Sequence, residues 1–254
     1  MAAMYDDLSL LADLHLGGDR QGPGSPQATR LAITLAGLKN DAHLNVADIG
    51  CGTGASARIL AQDLGAQVTA IDLLQPFIDA AAAKAEEAGL ADRITTCAAS
   101  MEALPFDKAT FDLIWSEGAI YNMGFAAGLR AWRPLLKTGG VLAVSDLTWL
   151  TAERPAPLTD HWQREYPQVD TASARMALLE GHGFSTLGYF TLPPDCWLDH
   201  YYRPLQSRFA AFLARHDHSD AARAIIAGEE AEIALYEQYQ AFFSYGFYIA
   251  RRVD

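Results

Sequence analysis

The sequence predicts an α/β fold, a mostly parallel sheet with helices on both faces. Three observations carry this. Short apolar runs alternate with helical stretches along most of the 254 residues, which is the rhythm of strands joined by helical crossovers. The run Asn45-Val46-Ala47-Asp48-Ile49 passes straight into Gly50-Cys51-Gly52-Thr53-Gly54 and then into a helical stretch, a strand–turn–helix unit that holds ligands at the carboxyl edge of such a sheet. Half of the residues are apolar and a fifth are charged, enough to bury a substantial core in a single domain with insertions.

Residues 1–16 read as a short helix with Leu8, Leu11 and Leu14 spaced as an apolar stripe. Gly17 to Gly24 is flexible, and Ser25-Pro26 reads as an N-cap with proline at the first helical position of a helix to about Leu38. After the glycine turn comes the helix Ala55–Leu64. Residues 67–71 form a second strand that closes on Asp72, and Phe77 to Ala88 an alanine-rich helix stopped by Gly89. Residues 93–98 and 111–115 are the third and fourth strands. A helix from about Phe125 to Lys137 then tolerates Pro134 near its end. Strands at 141–145, 184–192 and 244–251 follow, with a helix at 171–180 and an amphipathic one at about 221–241 whose glutamates form a solvated face. The stretches 1–27, 150–170 and 193–240 stand outside the rhythm.

The net charge of −12 argues against broad nucleic-acid binding, which needs a basic face. No window approaches a membrane span, and the N-terminus lacks the basic start and apolar centre of a signal peptide. Cys51, Cys97 and Cys196 are too few and scattered for a disulfide framework, which suits a reducing cytoplasm. Cys196, Asp199 and His200 lie close in sequence, but the adjacent pair would diverge on a helix, so no metal site is expected.

The glycine turn sets the chemistry. Gly50, Gly52 and Gly54 remove the side chains that would keep a ligand off the backbone, and the amides opening the next helix suit an anionic group. With Asp48 nearby, the site suits a zwitterion. Asp48-Ile49-Gly50-Cys51-Gly52-Thr53-Gly54 resembles the first motif of class I S-adenosylmethionine-dependent methyltransferases. Gly50-x-Gly52-x-x-Ala55 also satisfies a variant of the dinucleotide fingerprint, which keeps an NAD-dependent oxidoreductase as an alternative. Asp72, closing the second strand, is placed to accept both ribose hydroxyls of either ligand, and Leu73 would pack on the adenine. Ser100-Met101-Glu102-Ala103-Leu104-Pro105-Phe106 before Phe111-Asp112 is similar to a segment of small-molecule methyltransferases that lies against the adenine, although Ser100 stands where aspartate is common.

Trp115-Ser116-Glu117-Gly118-Ala119-Ile120-Tyr121-Asn122-x-Gly124-Phe125, Asp195-Cys196-Trp197-x-x-His200-Tyr201-Tyr202 and Gln21-Gly22-Pro23-Gly24-Ser25 look like a group of uncharacterised bacterial small-molecule methyltransferases. The resemblance implies a Rossmann-like, seven-stranded, mostly parallel sheet with an antiparallel last strand and helical lid insertions. It implies one domain over 1–254, with 1–27 as an N-terminal lid segment, 28–149 as the cofactor-binding core, and 150–170 and 193–240 as substrate-side insertions. S-adenosylmethionine is the expected cofactor and a small molecule the methyl acceptor, with no nucleic acid or membrane as partner. The expected cofactor residues are Gln21, Ser25, Asp48, Gly50, Cys51, Gly52, Asp72, Leu73, Ser100, Met101 and Ser116. Glu117 follows the fourth strand, where the methyl group would lie, as a base or orienting carboxylate, or else as a loop-shaping residue; Tyr121 could wall the methyl group. Trp149, Trp197, His200 and Tyr201 form either an acceptor pocket or a core joining lid to sheet. A protein that binds S-adenosylmethionine or S-adenosylhomocysteine without catalysis is the rival reading.

Overall fold

The computed structural model describes residues 2–254, with side chains from residue 9 onward; the side chain of Leu8, expected in the first apolar stripe, lies outside the described residues. The elements run α1 (Ala2–Leu16), α2 (Pro26–Ala36), β1 (Asn45–Ile49), α3 (Ala55–Leu64), β2 (Gln67–Asp72), α4 (Gln75–Glu87), β3 (Ile94–Ala98) and β4 (Phe111–Glu117). They continue with α5 (Phe125–Trp132), β5 (Leu136–Trp149), α6 (Ala156–Glu165), the two-residue β6 (Asp170–Thr171), α7 (Ala172–Gly181) and β7 (Phe184–Thr191). Four helices, α8 (Pro194–Trp197), α9 (Arg203–Gln206), α10 (Phe209–Arg215) and α11 (Asp220–Tyr239), then precede β8 (Phe243–Arg252), with a π-type turn Leu198–Tyr202 joining α8 to α9.

The main sheet has the order β3-β2-β1-β4-β5-β8-β7, and β6 adds a short pairing to β5. β1 to β5 pair in parallel. β8 runs antiparallel to both β5 and β7, so the last strand is inserted inside the sheet, as the resemblance implied. The order reverses at β1, which pairs β2 on one side and β4 on the other. Ligands bind at the carboxyl ends beside such a switch point.

Successive residues of the central strands feed opposite layers. Val46, Leu113, Val141 and Phe247 pack in one core with α2, α3 and the late helices; Ala47, Ile114, Leu142 and Tyr248 pack in the other with Phe125, Leu129 and Trp132 of α5. Strands buried on both faces read as near-continuous apolar runs, which is why their positions were legible.

Several boundaries differ from expectation: β4 runs through Glu117, which therefore closes the strand instead of following it, and the largest differences lie at α5 and β5. The helix expected over 125–137 ends at Trp132, followed by a 3₁₀ turn Arg133–Leu135 that contains Pro134. Proline lacks the amide that a continuing helix needs. β5 is correspondingly longer than 141–145, because Leu136 already pairs with Phe111 before an irregularity in the ladder. β6 is an eighth strand that two residues could not announce. No helix among the described residues is long and apolar enough to cross a membrane.

Candidate active site

The glycine turn is shaped by its neighbours. Gly50 N and Cys51 N both donate to Ile71 O of β2, at 2.8 and 2.9 Å. Gly50 and Gly52 lie at φ +73° and +53°, a region costly for residues with a Cβ. A Cβ on Gly50 would run into the Ala119 methyl, and one on Gly52 into the Gln21 amide. Asp72 ends β2 beside this turn. Its Oδ2 accepts from Gly52 N and its Oδ1 from Leu74 N, each at 3.0 Å. Each oxygen keeps a lone pair for a further donor. Burial raises the Asp72 carboxyl above its usual range, while the Leu74 and Gly52 amides pull against that shift.

A cavity of about 640 Å³ opens over this turn, within the roughly 300–1,000 Å³ typical of small-molecule sites. Of the residues expected from sequence, Gln21, Gly50, Cys51, Gly52, Asp72 and Leu73 border it. So do Ser100, Met101, Glu117, Tyr121 and Tyr201. Leu73 is two-thirds exposed and thus open to pack on a planar ring. Burial, then the Asp48 charge, holds the Cys51 thiol well above its ordinary range, so it packs as a neutral group.

Six expected residues do not border the cavity. Ser25 caps α2, its Oγ accepting from Ala28 N at 3.1 Å. Ser116 is fully buried in β4. Trp149 is buried beneath the Arg154 guanidinium, 4.6 Å from the ring centroid. Trp197 stacks on Tyr236 at 4.4 Å and donates to Ser244 Oγ at 2.9 Å, so it belongs to the core joining the late helices to the sheet. His200 borders a smaller recess with Asp19, Arg20 and Pro204. Asp48 is wholly buried beneath the turn, where Ser56 Oγ donates to its Oδ2 at 2.6 Å. Among the described residues no group of three or more His, Cys, Asp or Glu side chains could hold a metal ion.

Asp48 gives a pH-dependent prediction. Burial, reinforced by the Glu117 charge and opposed by the Ser56 hydrogen bond, pushes its carboxyl up to about 7 from 3.8. A carboxyl raised on folding favours the native state only while protonated, so its contribution fades as pH climbs from about 4 to about 7. Asp48→Asn is therefore expected to raise Tm at pH 8 by more than at pH 5, by differential scanning calorimetry. Equal gains at both pH values would refute this.

Glu117 departs most from expectation. Arg20 Nη1 donates to its Oε2 at 2.5 Å, Thr29 Oγ1 to its Oε1 at 2.7 Å, and Trp115 Nε1 to the same oxygen at 2.9 Å. Both charged side chains are about nine-tenths buried. A carboxylate so engaged is an anchor for the N-terminal segment rather than a free proton acceptor, contrary to the expected base role. The same segment is laced to the glycine turn elsewhere. Gln21 Oε1 accepts from Thr53 N at 2.8 Å, Lys84 Nζ donates to Gly18 O at 2.9 Å, and Asp19 pairs with Arg58 at 2.5 Å. Gln21 thus occupies a helix-opening amide expected to be offered to an anion. Glu117→Gln leaves Arg20 buried without its counter-charge, at a cost of about 3 kcal/mol. It is expected to weaken S-adenosylhomocysteine binding in calorimetry; lost turnover with unchanged affinity would restore the base.

Sequence reasoning missed His15, Arg20, Glu229 and Glu232, which all border the cavity. Arg20 adjoins Gln21, which was the available signal. Glu229 and Glu232, expected on a solvated face of α11, line the cavity wall instead.

Residues 46–140 match the family model described as a methyltransferase domain. The glycine turn and Asp72 lie inside the matched stretch, and the inserted antiparallel β8 lies beyond it. In sequence it is similar to the O-methyltransferase resE of Aspergillus sclerotiorum, 29% identical over 204 residues that span 74% of this chain and 77% of that one. In fold it is similar to a SAM-dependent methyltransferase from Geobacter sulfurreducens in complex with S-adenosylhomocysteine, with a TM-score of 0.83, 19% identity, and 96% and 98% of the two chains covered. The [4+2]-cyclase SpnF shares the fold at a TM-score of 0.76 and 24% identity, over 99% of this chain and 94% of that one.

Proposed function

We propose that this chain, acting as one domain over residues 1–254, transfers the S-adenosylmethionine methyl group to a small-molecule acceptor in the cytoplasm, without nucleic acid or membrane as partner. The observation that carries the reading is the Asp72 carboxylate, pinned by Gly52 N and Leu74 N at the rim of the cavity over the glycine turn. A vicinal diol matches its two remaining lone pairs. Leu73 and Met101 offer apolar and polarizable surface for an adenine. The Arg20–Glu117 pair borders the cavity with both signs of charge, which suits the methionyl zwitterion. The acidic balance of the chain, −12 overall, supports a small acceptor over a polyanion.

When bound, S-adenosylmethionine supplies an electrophilic methyl carbon for in-line displacement. The residues hold and align it, and the segment 17–25 excludes water from the site. The test joins calorimetry with S-adenosylhomocysteine to incubation with methyl-labelled S-adenosylmethionine and a metabolite extract, with the labelled product identified by mass. Binding plus one labelled small molecule supports the reading. Binding without any labelled product would favour the non-catalytic alternative.

A further inference from the structure

One wall of the cavity has no task in that reading. His15 of α1, Glu229 and Glu232 of α11, Tyr121 and Tyr201 all border it. His15 Nε2 lies 3.2 Å from Glu229 Oε1, and the imidazole stacks on Tyr201 with centroids 6.0 Å apart. A proton on Nε2 facing that carboxylate leaves the Nδ1 lone pair bare. His15 is 7% exposed, and its Nδ1 has no hydrogen-bond partner among the described residues. The second oxygen of Glu229 is likewise unpartnered.

Glu232 accepts from the Tyr202 hydroxyl at 2.9 Å. Burial raises its carboxyl above the usual range, and Glu229 pushes it the same way. The other charged groups bearing on Glu232 are His15 and Glu165; Arg208 bears on Tyr201 and spends its Nε on Leu14 O. Leaving buried polar atoms unpaired is costly. Two carboxylates one turn apart, flanked by tyrosine rings, are the chemistry that recognises an organic ammonium. An anionic acceptor meets like charge there.

We propose that this wall binds the methyl acceptor as an amine, its ammonium held by Glu229 and Glu232 against Tyr121 and Tyr201, with His15 Nδ1 taking the nitrogen's proton. The proposal rests on the methyl-transfer reading and supplies its acceptor class. Loss of one N–H proton to Nδ1 frees the nitrogen lone pair. That pair forms the new C–N bond as the C–S electrons return to sulfur, giving an N-methylammonium and S-adenosylhomocysteine. The imidazolium left behind faces the Glu229 carboxylate and passes its proton to solvent.

The test is calorimetry on protein saturated with S-adenosylhomocysteine, using 2-phenylethylamine, 2-phenylethanol and phenylacetate as probes of similar shape and different charge. The amine is expected to bind about tenfold tighter than the alcohol, with phenylacetate weakest. Glu229→Gln and Glu232→Gln are each expected to lower amine affinity about tenfold while S-adenosylhomocysteine affinity holds, which also shows that each variant is folded. His15→Gln is expected to bind the amine but to lose single-turnover transfer to it. An alcohol bound as tightly as the amine, or an amine indifferent to both glutamate variants, overturns the amine site and leaves the methyl-transfer reading standing. Failure of the unaltered protein to bind S-adenosylhomocysteine overturns both.

Discussion

Asp72→Ala is expected to raise the dissociation constant for S-adenosylhomocysteine about a hundredfold. The carboxylate is oriented before any ligand arrives, because Gly52 N fixes one oxygen and Leu74 N the other, both at 3.0 Å. Hydrogen bonds to a charged group contribute about 1.5–3 kcal/mol each. Two of them to a ribose diol, at the low end, amount to about 3 kcal/mol, or two decades of affinity. Asp72→Asn keeps one acceptor and should fall between the two. Calorimetry reads the affinities, and thermal melts of the ligand-free variants read folding. An affinity loss below about threefold in a folded Asp72→Ala protein would remove Asp72 from the ribose and, with it, the main support for the cofactor bay.

The largest stability effect is expected from Arg175→Met. Asp146 of β5 is fully buried, and its Oδ2 lies 2.7 Å from Arg175 Nη2. That nitrogen also donates to Gln168 O at 2.8 Å and to the Tyr166 hydroxyl at 3.0 Å, and the guanidinium lies 4.8 Å from the Phe125 ring centroid. Removing the cation strands a buried carboxylate, at about 3–5 kcal/mol. For a chain of this size that is a fall in Tm of about 10 °C. The pH sign follows from Asp146. Burial, opposed by Arg175, pushes its carboxyl up to about 6 from 3.8, so the protonated form favours the native state and that support is lost as pH rises through 6. Without Arg175 the shift is larger. The gap between variant and unaltered protein should therefore be wider at pH 8 than at pH 5.5, and Asp146→Asn combined with Arg175→Met should close most of it. A variant as stable as the unaltered protein would show that the pair contributes nothing. Tyr166 joins this network at 3.1 Å from Asp146 and packs edge-on to Tyr121, 5.9 Å away. The acceptor wall should soften in the same variant.

Local chemistry was legible in the sequence and distant pairing was not. The glycine turn and the strand end that carries Asp72 are set by backbone conformation, which neighbouring residues determine. Glu117 acts through Arg20 and Thr29, 97 and 88 residues away in sequence, and nothing in its own neighbourhood announces them. The sequence leaves Trp149 and Trp197 between pocket and core, because an aromatic in an insertion fits either until its partners are known. The α11 glutamates show the limit of helical periodicity. A polar stripe identifies the side of a helix that leaves the apolar core, yet a wet cavity wall and open solvent ask for the same residues.

The fastenings of residues 17–25 reach three different elements around the cavity. Arg20 binds Glu117 at the end of β4, Asp19 binds Arg58 of α3, and Gln21 binds the Thr53 amide of the glycine turn. These fastenings lie on one short stretch of chain, so each limits how far the others can move. Loosening any one of them would therefore disturb the hold at both the glycine turn and the end of β4.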